Sequence, residues 1–233
     1  MVSGMELAVA PRGRPELTLE RDGACQFEAA FDPPALAALE LALARHPRSR
    51  PGARLGANAG LRALLAPADA IAFSLLGAAA RPVRALLLDK GDEQNWALGW
   101  HQDRTIALRR HAEIPGFTGW TVKSAIPHAV PPFALLERML TLRIHVDAAG
   151  PGNGPLRIVP GSHRLGRIAE RDVEAVAARL GSFTCLAAAG DLWVYSAPIL
   201  HASDRASAGG RRRVLQLSYG ADELPGGLEW LGT

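Results

Sequence analysis

From Val83 to Tyr219 the chain is a succession of apolar runs of strand length, each cut off by glycine, proline or asparagine. Such punctuation reads as many short strands joined by turns. Strands are expected at about 83–88, 139–146, 156–159, 183–187, 191–195, 198–203 and 212–219, with an extended segment over 96–108. Helical character is concentrated before them. Leu36–Arg45 is rich in Ala, Leu and Glu behind Pro33-Pro34, a composition that favours helix with proline at its start. Asp69 reads as the N-cap of a second helix running to about Ala80, closed by Pro82. A short third helix is expected over Glu170–Leu180, ended by Gly181. Helices followed by a long series of short strands predict a mainly β jelly roll, a double-stranded β-helix core, with the N-terminal helices packed outside. A doubly wound sheet would need alternating strands and helices, and neither a GxGxxG nor a P-loop occurs. The expectation is one domain over 1–233, its helical part at about 30–80 and its core at about 83–220. The stretch 109–133, rich in Pro, Gly and His around Trp120, is long for a plain connection and is expected to be a functional cover or lid.

Charge and cysteine content narrow the class further. There are two lysines, Lys90 and Lys123, against twenty-four arginines, yet the net charge is only +3. The longest basic run is Arg211-Arg212-Arg213, too short to read as a nucleic-acid surface. The arginine excess reads instead as codon bias. No apolar run reaches membrane-spanning length, and Met1–Arg12 lacks the apolar core of a signal peptide. Cys25 and Cys185 cannot form a disulfide framework or a zinc site alone, and read as buried residues. A cytoplasmic protein with no nucleic-acid or membrane partner is expected, its oligomeric state open.

Most of the seven histidines are expected to be structural or surface residues, and the one to notice for chemistry is His101. His101-Gln102-Asp103 places an imidazole and a carboxylate two residues apart, on one face if the chain is extended there. One more histidine from a second strand would complete a two-histidine, one-carboxylate set, which suits Fe(II) and leaves coordination positions open. His201 follows Gly190-Asp191-Leu192-Trp193, and Arg212 comes eleven residues after it. On that last strand Arg212, Val214, Gln216 and Ser218 share the more polar face, as in the wall of a barrel around a polar ligand. A guanidinium there could grip a carboxylate through two hydrogen bonds. A one-residue bulge would put Arg211 or Arg213 in its place.

Three blocks carry a resemblance: Trp100-His101-Gln102-Asp103, Asn153-Gly154-Pro155-Leu156-Arg157-Ile158-Val159-Pro160-Gly161-Ser162-His163, and His201-Ala202-Ser203 with Arg212 behind it. Over roughly 83–220 the chain resembles the phytanoyl-CoA dioxygenase family of non-haem Fe(II)/2-oxoglutarate oxygenases. The resemblance implies a jelly-roll enzyme with His101, Asp103 and His201 as the catalytic iron ligands. It implies Arg212 on the distal carboxylate of 2-oxoglutarate, assisted by the Ser203 hydroxyl, with Thr141 and Trp120 also beside the co-substrate. A lysine or glutamine on an early strand has this role in some members, and Lys90 and Asn95 are the candidates here. The implied reaction consumes O2 and 2-oxoglutarate, releases succinate and CO2, and hydroxylates a small organic molecule. Known substrates of the family range over lipid thioesters, amino-acid-like solutes and natural products.

Other residues have plainer readings. His163 is expected to be structural, and His145 to be either pocket lining or a buried core histidine. Trp96 and Trp100 read as core packing, and Arg104, Arg143 and Arg157 as solvated. The alternative function is a jelly roll that binds a metal or small ligand without oxygenase turnover. Arg212 together with Ser203 speaks against it, because a dicarboxylate co-substrate explains both.

Overall fold

The computed structural model describes residues 16–44, 46, 52–56, 59–207 and 210–233. The reading of Met1–Arg12, and the end of the first expected helix at Arg45, lie outside the described residues. Six helices and thirteen strands are formed among them. The helices are α1 (Leu19–Asp22), α2 (Pro33–Leu43), α3 (Ala59–Ala63), α4 (Ala66–Leu76), α5 (Phe133–Glu137) and α6 (Val173–Leu180). The first strands are β1 (Ala24–Phe27), β2 (Gly52–Leu55), β3 (Arg81–Lys90), β4 (Leu98–His101), β5 (Ile106–Ala107), β6 (Thr118–Lys123) and β7 (Ile126–Val130). They are followed by β8 (Leu140–His145), β9 (Leu156–Ile158), β10 (Phe183–Cys185), β11 (Leu192–Ser196), β12 (His201–Ser203) and β13 (Arg212–Gly220).

The pairings are antiparallel and build a six-stranded sheet in the order β1-β11-β8-β13-β3-β2 and a four-stranded sheet in the order β10-β9-β12-β4. The two face each other, with the Tyr195 ring of β11 5.3 Å from the His201 ring of β12. This is the expected jelly roll. Alternation along the central strands gives the large sheet two different faces. Ala85, Leu87, Leu142, Ile144, Leu192, Val194, Leu215 and Leu217 point outward and pack on Leu39, Leu43, Leu61, Leu65, Ala68 and Ala72 of the N-terminal helices and their connections. Each leucine buried there contributes about 1.5–3 kcal/mol. The same strands turn Thr141, Arg143, His145, Arg212, Gln216 and Ser218 to the barrel interior, all of them buried.

The structure departs from expectation in four places. Asp69 does not cap α4, which begins at Ala66 with Pro67 in its first turn. The Asp69 carboxylate instead accepts from Arg62 and from the Tyr219 hydroxyl, tying the helix to β13. Pro82 lies within β3, opposite Tyr219 beside a register shift, and Gly77 closes α4. The extended segment 96–108 breaks into β4 and β5, which join different sheets. The stretch 109–133 is largely ordered structure, with β6 and β7 forming a two-residue hairpin beside β5. Its turn carries Ser124 and Ala125 at φ 54° and 61°. Phe117, Ala129, Leu135 and Trp230 pack beneath it in a second hydrophobic cluster.

Candidate metal centre

His101 and His201 are register partners on β4 and β12, their ring centroids 4.2 Å apart. Asp103 joins them from just beyond the end of β4. One ligand atom from each of the three lies within 4.8 Å of the others. Each imidazole Nδ1 is bound to the carbonyl two residues earlier, His101 to Gly99 at 2.8 Å and His201 to Ile199 at 3.0 Å. A carbonyl can only accept, so Nδ1 carries the proton and Nε2 keeps its lone pair for a metal. Burial, followed by the neighbouring His101, pushes His201 down to about 4. Burial would raise the Asp103 carboxyl, but Arg84, His201, His101 and Arg143 outweigh it and hold it below its ordinary value. The set is thus a neutral imidazole and an ionised carboxylate at neutral pH, as a divalent cation requires.

The motif residues between the ligands are fasteners. Gln102 is buried and donates to Pro198 O at 2.7 Å and Gly166 O at 2.9 Å, while accepting from Ile168 N at 2.9 Å. It anchors the break after β4, so that Asp103 converges on the histidines although it has left the strand. The Ser162 hydroxyl donates to Val159 O and accepts from Leu200 N, fixing the entry to β12. His163 packs over Gly23, as befits a structural residue.

A cationic end lies deeper in the barrel. Arg212 is buried and its register partner across β13 and β3 is Lys90, also buried. Its neighbours on the strand point away: Arg211 pairs with Asp89, and Arg213 with Asp147 and Glu40. The alternation therefore selects Arg212 without a bulge. Lys90 donates to Asp204 O at 2.6 Å, and Arg212 Nε to Asn153 O at 3.1 Å. Gly154 lets these segments close up. A Cβ there would sit 2.4 Å from Asp204 O and 2.8 Å from Lys90 Nζ, at a φ of +65°. Between Lys90 and Asn95 the structure brings only Lys90 to Arg212, since both side-chain groups of Asn95 bind the backbone of Ala206.

Several buried polar atoms here lack a partner in the protein: Thr141 Oγ1, Arg143 Nε, both nitrogens of His145, Tyr195 Oη and Arg212 Nη1. Each orphan costs about 1–3 kcal/mol, and most are donors, so an oxygen-rich anion suits the space. Burial, then Arg143 and Arg212, push His145 down to about 3 and leave it neutral. Arg143 is buried against Gln216, not solvated as expected. Its position was readable from its parity with Thr141. Ser203 shares the face of His201 on β12. Trp120 stands apart, in the second hydrophobic cluster and edge-on to His111 at 4.3 Å. Trp96 and Trp100 are half-buried under Lys90 and Arg157 at 5.0 Å each. Trp100 also packs against a buried cluster with Val159, Ile168 and Leu200, as expected, whereas Trp96 is a platform for the lysine.

The model of the family described as Phytanoyl-CoA dioxygenase (PhyH) matches residues 19–214. The chain belongs to the phytanoyl-CoA dioxygenase family. As a member it is an Fe(II)- and 2-oxoglutarate-dependent oxygenase. A search of curated proteins finds no sequence match. Among solved structures the chain is similar to AviO1 from Streptomyces viridochromogenes Tue57, with 21% identity and a TM-score of 0.61 over 89% of this chain and 92% of that one. It is similar to EctD from S. alaskensis, solved with 2-oxoglutarate and 5-hydroxyectoine, with 20% identity and a TM-score of 0.66 over 87% and 73% of the two chains. The epimerase SnoN, solved with Fe3+, alpha ketoglutarate and nogalamycin RO, gives 17% identity and a TM-score of 0.60 over 90% and 88%. These likenesses show a shared fold. In this family member the donor set of the triad and the unpartnered atoms around Arg212 fit the metal and the dicarboxylate. No helix among the described residues is long and apolar enough to cross a membrane.

Proposed function

We propose that this family member hydroxylates a small organic molecule in the barrel, with His101, Asp103 and His201 holding iron(II) and with Lys90 and Arg212 gripping the distal carboxylate of 2-oxoglutarate. The observation that carries this reading is the pairing of two buried cations, Arg212 with an unpartnered Nη1, with a pre-formed triad inside one barrel. Iron(II) with 2-oxoglutarate and dioxygen supplies the oxidising chemistry, which ends in succinate, CO2 and the oxidised substrate.

The protein's part is geometry and charge. The Nδ1–carbonyl bonds hold both imidazoles with Nε2 inward. Arg84, 3.8 Å from Asp103, helps keep that carboxylate ionised. Ser203 follows His201 by two residues, Thr141 is the register partner of Tyr195, whose ring lies against His201, and His145 offers a neutral N–H nearer Arg212. The leucine-lined outer face seals this wall from water. The helices and the barrel share that packing as one catalytic unit.

An anaerobic titration with Fe(II) and then 2-oxoglutarate tests the reading. A weak visible charge-transfer band that needs both additions, and is absent in His101→Ala, is the expected result. No band, together with no 2-oxoglutarate binding by calorimetry, would overturn it in favour of a non-oxidising ligand-binding barrel.

A further inference from the structure

The barrel interior holds more positive charge than the metal and co-substrate account for. Alternation on β3 sends Ala85 and Leu87 outward to the helices, so Arg84, Leu86, Leu88 and Lys90 face inward. On β2 Ala53 and Leu55 face the helices, which turns Gly52 and Arg54 inward as well. The register places Arg54 opposite Leu86 and Arg84 opposite Ser218. Arg54 and Arg84 are therefore diagonal neighbours on one face, close enough for long side chains to meet. With Lys90, Arg143 and Arg212, five cations face the interior.

The acids that bear on them are few. Arg84 has Asp103, at a loose 3.8 Å. Asp147 acts on Arg212, and Asp204 on Lys90. Arg54 feels chiefly burial and the repulsion of Arg84, both of which lower its proton affinity. Iron(II), the 2-oxoglutarate dianion and ionised Asp103 sum to one formal negative charge, which leaves most of the five interior cations without a counter-charge. An uncompensated guanidinium pair remains beside the triad.

Its position separates it from the co-substrate. Arg84 and Lys90 lie six residues apart on β3, about 20 Å of extended chain. Lys90 and Arg212 mark one end, while Arg84 touches the triad at Asp103. A five-carbon dicarboxylate anchored on Lys90 and Arg212 is used up on reaching the metal. Arg54 and Arg84 then lie beyond it, on the side of the metal that the co-substrate leaves unused. His128 of β7 belongs to the same neighbourhood. It is buried with Nδ1 bound to Ile126 O and Nε2 unpartnered. Burial first, then Arg54, Lys123 and Arg84, lower its pKa.

Resting on the oxygenase reading, we propose that the primary substrate is an organic oxyanion, a carboxylate or phosphate ester, whose charged group docks on Arg84 and Arg54 at the side of the triad away from Lys90 and Arg212. Two guanidinium groups offer paired N–H donors for such oxygens. Docking the charge there would hold the adjoining carbon skeleton over the metal, so hydroxylation falls close to the acidic group.

The test uses the metal-loaded protein with saturating 2-oxoglutarate under anaerobic conditions, so that the co-substrate site is filled. Hexanoate, benzoate and phenyl phosphate are compared with hexanamide, benzamide and phenol by saturation-transfer NMR. At least one acid is expected to bind while its uncharged counterpart does not. In Arg84→Gln and Arg54→Gln that signal should fall about tenfold or more, with partial recovery in Arg84→Lys, consistent with loss of a charged hydrogen bond. Uncharged compounds binding as well as the acids, acid binding indifferent to both substitutions, or no acid binding at all would overturn the proposal. The visible band of metal and co-substrate, recorded on the same samples, reports the oxygenase reading separately. If the band forms while the acids are ignored, only the substrate proposal falls.

Discussion

Lys90 and Arg212 are register partners on adjacent strands, two cations buried side by side at one end of the barrel. Burial, then Arg212 and Arg143, push the Lys90 ammonium down to about 8 from its ordinary 10.5. A carboxylate bound between them favours the charged form and raises that value. Affinity for 2-oxoglutarate should therefore be flat below about pH 8 and fall above it, by up to about tenfold per pH unit. Stability without co-substrate follows the opposite slope. Between about 8 and 10.5 the unfolded chain binds more protons at this lysine than the folded one, so stability gains from rising pH across that window. Calorimetric titrations from about pH 7 to about pH 9 check the binding half. A constant affinity over that range would exclude a charged Lys90 contact.

Removing the cations separates their roles from that of Asn95. Arg212→Ala and Lys90→Met should each weaken 2-oxoglutarate binding by about 10- to 100-fold, the value of a charge-assisted hydrogen bond, while metal binding persists. Asn95→Ala should act on stability alone, because its side chain binds only Ala206. Paired metal and co-substrate titrations distinguish these cases. A large co-substrate defect in Asn95→Ala would reverse the assignment of the early-strand contact.

Gln102 supports the metal site without touching the metal. Gln102→Leu leaves Pro198 O, Gly166 O and Ile168 N–H without their partner, a loss of about 1–3 kcal/mol for each group that stays buried. The variant should melt earlier and bind iron more weakly, with its affinity for 2-oxoglutarate changed less. His201→Ala, by contrast, should lose most metal binding with a smaller shift in melting temperature. Thermal melts beside metal titrations compare the two. Equal metal loss without destabilisation in Gln102→Leu would mean that the side chain is not the anchor.

The triad was legible from the two-residue spacing of His101 and Asp103 together with the family resemblance of the His201 block, although Asp103 lies beyond the end of β4 and is aimed by the break that Gln102 anchors. Choosing Arg212 over Arg211 and Arg213 needed only unbroken alternation, which β13 keeps up to its shift between Ser218 and Tyr219. What was illegible depends on pairing. Lys90 outranks Asn95 only once β3 lies against β13. Arg54 and Arg84 become neighbours only once β2 joins the sheet edge, and four-residue strands such as β1 and β2 carry too few alternations to read. Asp69 looks like a cap in sequence because its partner Tyr219 is 150 residues away.

The β6–β7 hairpin escaped notice for a local reason that is itself testable. Lys123 pairs with Ile126 across a two-residue loop, a connection that favours Asn-Gly because both positions need positive φ. Here Ser124 and Ala125 occupy them, at φ 54° and 61°. Alanine with its Cβ is strained in this region by about 1–2 kcal/mol, whereas glycine is not. Ala125→Gly should therefore stabilise the protein by up to about 1 kcal/mol, after the added entropy of the unfolded glycine is subtracted. Ser124→Asn should add a few tenths more. Because Val122, Ser124 and Ala125 are exposed, metal and co-substrate affinity should not change. Denaturant unfolding of the single and double variants measures the gain. Destabilisation by Ala125→Gly would mean that the turn is held by contacts of the Ala125 methyl and not by its backbone conformation.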